Sequence, residues 1–285
     1  MNVQDEGLLY RYRPYNENTL SEIVNNQLWH SHVRLLNDPF ELPFQFDWEE
    51  INEKNLIKIS RKINLLSEQK LQECYAKNLQ GNTLELVKRL YQDQTTELET
   101  YTTKAFVCCF SKSDDQPLMW SHYAQGMTGL CIAYKKDNLV NNDVEPLVLK
   151  DVKYNSKVEK LSYKDIDSYV VERQDGRDMK GQLGLSVRMK MSLSAITHVY
   201  QKHTRWEYEG EVRSVLFAQS DVENEKSGLI ETVADNAINH IVIGSKMSST
   251  NKEVILALCR GRGIPVYVAT PNRDTYSVEI DNEQL

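Results

Sequence analysis

The sequence predicts an α+β fold, a twisted and mostly antiparallel sheet carrying helical insertions. Short alternating or β-branched stretches recur along the chain, while about 47–104 has helical spacing, no proline and a single glycine, Gly81. No internal repeat or low-complexity linker divides these regions, so 1–285 reads as one α+β domain whose helical insertion is a lid or partner surface rather than a domain of its own.

The elements follow in order. LLYRYRP reads as a strand from Leu8 to Arg13 that stops at proline, and Asn16 then caps a helix over about Glu17 to Asn26 with Leu20, Ile23 and Val24 on one face. LWHSHV is a second strand, with His30 and His32 alternating on it, and Asn37-Asp-Pro-Phe-Glu41 is a turn anchored by Phe40. The helical stretch places Leu56, Ile59, Ile63 and Leu66, then Leu84, Val87 and Leu90, at helical intervals and breaks near Gly81-Asn82. AFVCCFS, Ala105 to Ser111, is a buried strand, and Asp114 or Asp115 starts a helix through PLMWSHYA. Gly129 to Tyr134 and Pro146 to Tyr154 are further strands of the same sheet. A helix is expected from about Leu183 to His203, with Leu185, Met189, Leu193, Ile196 and Val199 facing inward. Strands at Trp206 to Phe217, GLIETV, HIVIG, IPVYVA and YSVEI, with one helix from Ser249 to Arg262, complete the chain.

Charge and composition bound the function. Lys plus Arg number 34 against 41 Asp plus Glu, a net charge of −7 that opposes non-specific wrapping of a phosphate backbone. No apolar run approaches the roughly 20 residues of a membrane span, and the start, MNVQDEG, is acidic, so a cytoplasmic protein is expected. Five cysteines, Cys74, Cys108, Cys109, Cys131 and Cys259, form no CxxC pair, and adjacent Cys108 and Cys109 point to opposite faces of a strand, as buried thiols rather than metal ligands. No metal site is expected.

Polar and aromatic residues gather at Tyr10 to Arg13, Asn37 to Glu41, Ser111 to Tyr123 and Trp206 to Arg213. LYRYRP, LNDPFE, CCFS, LMWSHYAQGMTGLCI and WEYEGEVR, in that order, resemble the motifs of a large uncharacterised bacterial family, a domain of unknown function. The resemblance runs from Leu8 to about Phe217 and implies a shared fold. Val212 departs from it, standing where the family carries an aromatic residue.

Three of the segments are also similar to the motifs of ADP-ribosyltransferases, which place an arginine on the first strand, Ser-x-Ser on a middle strand and Glu-x-Glu beside a later one. The resemblance assigns Arg11, or Arg13, to the NAD pyrophosphate, Ser111 and Ser113 to the serine motif, and Glu209 and Glu211 to the paired glutamates. Cleaving the nicotinamide–ribose bond builds an oxocarbenium-like sugar that a carboxylate stabilises, and Glu211 is the expected carboxylate, with Glu209 facing the acceptor. Guanidinium suits phosphate through its planar donors. Arg11 and Arg13 share one strand face, so the sequence does not choose between them. Tyr123 is expected to stack on nicotinamide, and His122 to act as acid, base or phosphate ligand. The implied activity is transfer of ADP-ribose to a macromolecule or hydrolysis of NAD, by a toxin or anti-phage effector.

Structural roles stand beside these. RYR-like strands often mark a solvated face, Ser-x-Ser and Glu-x-Glu are short, and Trp120 with Tyr123 shares a helix face suited to a core. One rival is a non-catalytic sensor or interaction module that binds a phage protein or a nucleotide. A hydrolase would pair His122 with Glu211 or Asp115 and use Cys109 or Ser121 as nucleophile. A metal-dependent nuclease would draw a carboxylate cluster from Asp38, Glu41, Asp114, Asp115, Glu209 and Glu211.

Overall fold

The computed structural model describes residues 7–63, 65, 68–77, 80–141, 145–165, 168–177, 183–191, 193–281 and 283–285. The chain divides into two compact units, one of 1–39, 104–154 and 202–285 and the other of 40–103 and 155–201.

The first unit is built on a ten-stranded sheet of β1 (Leu8–Arg13), β2 (Gln27–His32), β3 (Ala105–Ser111), β4 (Leu130–Lys135), β5 (Leu149–Asp151), β6 (Glu211–Phe217), β7 (Gly228–Thr232), β8 (Ile238–Gly244), β9 (Val266–Asn272) and β10 (Ser277–Ile280). Every pairing is antiparallel except β8 with β9. That parallel pair is joined by a helix over Ser249–Arg262, as a crossover requires. The fold class read from the sequence is therefore present as a mixed, mostly antiparallel architecture.

The sheet forks at β3. Along one edge β3 pairs β6 over its whole length, from Ala105 opposite Phe217 to Ser111 opposite Glu211. Along the other edge it pairs β2 at Phe106 and Val107 but β1 at Ser111, and two arms diverge from there. One arm continues from β2 to β7, the other from β1 through β4, β8 and β9 to β10. Helix α1 (Glu17–Asn25) links β1 to β2, and its start is fixed by the Asn16 side chain, which accepts from the Thr19 amide at 2.9 Å.

The two faces of the sheet differ. Leu9, Ile23, Leu28, Cys108, Phe110, Leu130, Ile132 and Val212 belong to one apolar core. Tyr12, Met119, Trp120, Ala124, Cys131 and Val242 form another on helix α2 (Pro117–His122) and the sheet residues beneath it. Trp120 is fully buried, edge-on to Tyr12 with ring centres 5.4 Å apart, and its indole donates to the Asp114 carbonyl at 2.6 Å. This aromatic anchor seats MWSHYA on the sheet.

The second unit contains helices over Leu56–Lys62, Glu68–Ala76 and Gln80–Thr102, and a hairpin of Ser168–Arg177 with Leu183–Met191. Leu56, Ile59, Ile63, Val87, Leu90 and Tyr91 make its core with Phe46 and Leu161. The helix break precedes Gly81, which lies in the first turn of the 23-residue helix; Leu66 lies outside the described residues. Among the described residues no helix is long and apolar enough to cross a membrane.

Several expected elements are corrected. Leu183–Met191 is a strand, followed by a 3-10 segment over Leu193–Tyr200 and a strand over Gln201–His203, where a continuous helix was expected. Leu183, Leu185, Val187, Met189 and Met191 alternate with Gly, Ser, Arg and Lys, a two-residue period that the helical reading passed over. The side chains of Leu185, Met189 and Leu193, like that of Cys74, lie outside the described residues. Helix α2 starts at Pro117 after Gln116, with no side-chain cap from Asp114 or Asp115. Trp206 lies in a 3-10 turn over Thr204–Glu209, not in the strand. Val24 and Phe40 are exposed rather than packed as anchors. The alternating stretch Pro146 to Tyr154 yields β5 and a separate short strand from Lys153, split at buried Val152.

Candidate functional site

Among the described residues of the first unit, two polar clusters hold most of the predicted site residues. Register decides which residue goes where. Tyr10 on β1, Ser111 on β3 and Glu211 on β6 are direct cross-strand partners and share one face of the sheet. Arg11 and Arg13 alternate with Tyr10 and Tyr12 and point to the other.

On that other face Arg11 is buried in the fork. Its guanidinium donates to Glu22 of α1 at 3.0 Å and to the Trp29 carbonyl at 2.9 Å, touches the Cys108 thiol, and lies 5.9 Å over the Phe110 ring. Arg13 pairs with the second Glu22 oxygen at 3.0 Å. The arginines expected to clamp a pyrophosphate beside Glu211 thus brace β1, β2 and α1 through one buried carboxylate, on the opposite face from it. The reason is the two-residue strand period: sharing a face with each other, they cannot share it with Tyr10 and its partner Ser111.

The second cluster surrounds the glutamate pair. Gly210 adopts φ 49° at the end of the 3-10 turn, a left-handed geometry that suits glycine, and so separates Glu209 in the turn from Glu211 on the strand. Both side chains are buried, yet they meet at one cation. The Lys202 ammonium contacts Glu209 Oε2 at 2.5 Å and Glu211 Oε2 at 3.3 Å. Arg213, two residues along β6 on the same face, donates from Nε to Glu211 Oε1 at 2.8 Å and from Nη2 to Oε2 at 3.2 Å. The Glu211 amide donates to the Tyr154 hydroxyl at 2.7 Å, and Ser111 Oγ donates to the Glu209 carbonyl at 2.7 Å. Ser111 therefore fixes the glutamate turn through its backbone. Ser113 contacts Asp115, and its carbonyl accepts from the Tyr12 hydroxyl at 2.9 Å, which makes it part of the turn before α2.

Glu209 reaches outward through its other oxygen. Tyr123 Oη donates to Glu209 Oε1 at 2.5 Å and accepts from Asn37 Nδ2 at 2.9 Å, and Asn37 is exposed. Around this point stand half-buried Tyr123, Tyr208 and Trp206 and exposed His122. The Lys202 ammonium lies 4.8 Å from the Trp206 ring centre, Trp206 is 6.1 Å from Tyr208, and Tyr208 is 6.4 Å from His122. One side of the carboxylate centre thus carries an aromatic rim.

The two carboxyls have opposed ionisation. Burial pushes Glu211 up, but Arg213 and Lys202 outweigh it and hold its carboxyl below the usual range. Burial raises Glu209 against the pull of Lys202, and the neighbouring Glu211 charge raises it further. Such a divergence is the pattern by which paired carboxyls take different roles in proton transfer. Cys109, half-buried on the Glu211 face, has its thiol pushed up by burial and then by the Glu211 charge, so it stays protonated and makes a poor nucleophile. Among the described residues no group of three or more His, Cys, Asp or Glu side chains converges to hold a metal, so the carboxylate cluster of the nuclease alternative is not assembled there.

Residues 119–214 match the family described as "Protein of unknown function (DUF2971)". Over that segment the chain is similar to an uncharacterised domain family. The match takes in Tyr123, Lys202, Glu209, Glu211 and Arg213, while Asn37 and Ser111 fall outside it. No curated protein and no solved structure matches the chain.

Sequence reasoning missed Lys202, Arg213 and Asn37. Lys202 fell at the end of a stretch read as an amphipathic helix. Arg213 had a signal, because residues 211 and 213 of one strand share a face and an Arg two places from a Glu is placed to pair with it. Asn37 lies in NDPFE, where a capped turn explained the residue without a partner.

Proposed function

We propose that this chain binds NAD and cleaves the nicotinamide–ribose bond at the Glu209–Glu211 centre, passing ADP-ribose to a macromolecular nucleophile or to water. The observation that supports this reading is the pair of carboxylates joined by one ammonium, with opposed ionisation and an aromatic rim beside Glu209. N-glycoside cleavage needs negative charge beside a developing oxocarbenium ion and a base for the incoming nucleophile. Glu209, next to the rim, is assigned both the ribose and the acceptor proton. Glu211, saturated by Arg213 and Lys202, holds the ammonium in place and positions Glu209. The pyrophosphate clamp expected at Arg11 and Arg13 is dropped from the reading, and of the predicted cofactor-binding residues exposed His122 is retained for that role. Tyr123, hydrogen-bonded to Glu209, is retained at the nicotinamide side. A toxin or anti-phage effector goes with this activity.

The test is release of nicotinamide from NAD by purified protein, followed chromatographically with and without candidate acceptor proteins and nucleic acids. Wild-type protein is expected to release it and E209Q to abolish release with its melting temperature kept. Absence of release by the wild type under every acceptor condition overturns the enzymatic reading. The placement of Arg11 on the far face favours a second reading, a binding module; saturable NAD binding by calorimetry without turnover would establish it.

A further inference from the structure

The hydrogen-bond chain from Asn37 to Glu209 has a direction, and a phenol with one proton sets it. Tyr123 Oη accepts from the Asn37 amide at 2.9 Å, so its own proton must point to Glu209 Oε1, 2.5 Å away. That geometry suits an ionised Glu209. A protonated Glu209 would donate to Tyr123, whose hydroxyl would then turn to Asn37, and the exposed amide would swing round to offer its carbonyl. We infer that Asn37 and Tyr123 form a reversible proton relay between solvent and Glu209, with Asn37 as the residue that sets its direction.

The step balances. When Glu209 takes a proton from the acceptor nucleophile, its O–H donates to Tyr123 Oη. The phenol's original proton passes outward to water at the Asn37 end, the Glu209 proton moves onto Oη, and the carboxylate is restored. One proton leaves the site, no electron moves, and no co-reactant is needed. Burial and then the Glu209 charge raise the Tyr123 phenol, so a free phenolate does not accumulate and the transfers must be concerted.

The groups facing Glu209 are Lys202, Glu211 and the phenols of Tyr123, Tyr154 and Tyr208, with Ser111 on its backbone carbonyl. Of these, Tyr123 is the one whose hydroxyl links Glu209 to an exposed amide. The relay deepens the proposed function by naming the route for the acceptor's proton, but the hydrogen bonds stand without turnover. The experiment therefore reads ionisation directly: carbon NMR of carboxyl-labelled glutamate across pH, with E209Q assigning the Glu209 signal.

Y123F removes the donated hydrogen bond and is expected to move the Glu209 midpoint up by about one pH unit. N37D replaces a switchable amide by an acceptor that draws the Tyr123 proton away, and its midpoint is expected to rise as well. N37L, which leaves Tyr123 able to donate inward, should move it by much less. Asn37 is exposed, so both of its variants are expected to fold. An unmoved midpoint in Y123F, or equal midpoints in N37D and N37L, overturns the relay. Midpoints that move as stated while nicotinamide release is absent keep the relay and discard the NAD reading.

Discussion

The fork and the glutamate turn are both buried ion clusters on one sheet, and they differ in which side has an outlet. At the fork, two guanidiniums share one carboxylate, Glu22, and the remaining contacts are a backbone carbonyl, a buried thiol and an aromatic ring. At the turn, two carboxylates share one ammonium, and a hydrogen-bond chain runs from Glu209 to exposed Asn37 beneath an aromatic rim. The charge balance is inverted between the two, with cations in excess at the fork and none in excess at the turn. What separates a brace from a candidate site is a polar path to solvent, and that depends on the face each strand residue takes.

The most severe way to break the comparison is at the brace. E22Q leaves two guanidiniums without their shared anion and is expected to cost about 3–5 kcal/mol in urea unfolding. Any folded fraction should keep its specific nicotinamide release, because the fork lies on the other face. Loss of release in fully folded E22Q would mean the two clusters act together.

E211Q comes next, with an expected loss of about 3 kcal/mol as Arg213 and Lys202 lose a buried partner. An unchanged melt would return Glu211 to the catalytic role.

The clusters should also differ in pH response. His30, buried on β2 with Nε2 3.1 Å from Ser214 Oγ, is pushed down to about 3 by burial and then by Arg11. The unfolded chain protonates this histidine near 6.5 and the folded chain does not, so its contribution is complete above that value and declines as pH falls towards 3. H30N should flatten the stability profile in that window by up to about 1.4 kcal/mol per pH unit. At the turn the carboxyls oppose each other. Depressed Glu211 contributes stability above its ordinary value of 4.5 and loses it as pH falls below; raised Glu209 contributes with the opposite sign. E209Q should therefore remove a gain of stability on acidification that lies above pH 4.5, measured by denaturant titration, and leave the loss below pH 4.5 to Glu211; an unchanged profile above pH 4.5 would reverse the Glu209 assignment.

The smallest stability effect is expected from E209Q at neutral pH, about 1 kcal/mol, because Lys202 keeps Glu211 as its anion, the Gln oxygen can still accept from it, and burial already disfavours the Glu209 charge. Its effect on nicotinamide release should be complete.

Much of the scaffold was legible in local pattern. β1, β3 and the helix at Ser249–Arg262 have the bounds expected from alternation, β-branching and capping, since those signals act within a few residues. The hairpin strand at Leu183–Met191 was misread because its Leu and Met spacing satisfies a helical template while its true period is two. Within the site, Tyr123, Ser111, Glu209 and Glu211 were found from motif clustering and are brought together, whereas Arg11 and Arg13 are not.

By itself the sequence determined β1, β3, the Asn16 cap and the helix at Ser249–Arg262, the residue types available for chemistry and the fact that Arg11 and Arg13 share a face. Only the tertiary structure decided which face that is, because cross-strand register is set between segments some hundred residues apart. Tyr10 opposite Ser111 opposite Glu211 puts the arginines behind the sheet, and the return of the chain through Lys202 gives both glutamates their common cation.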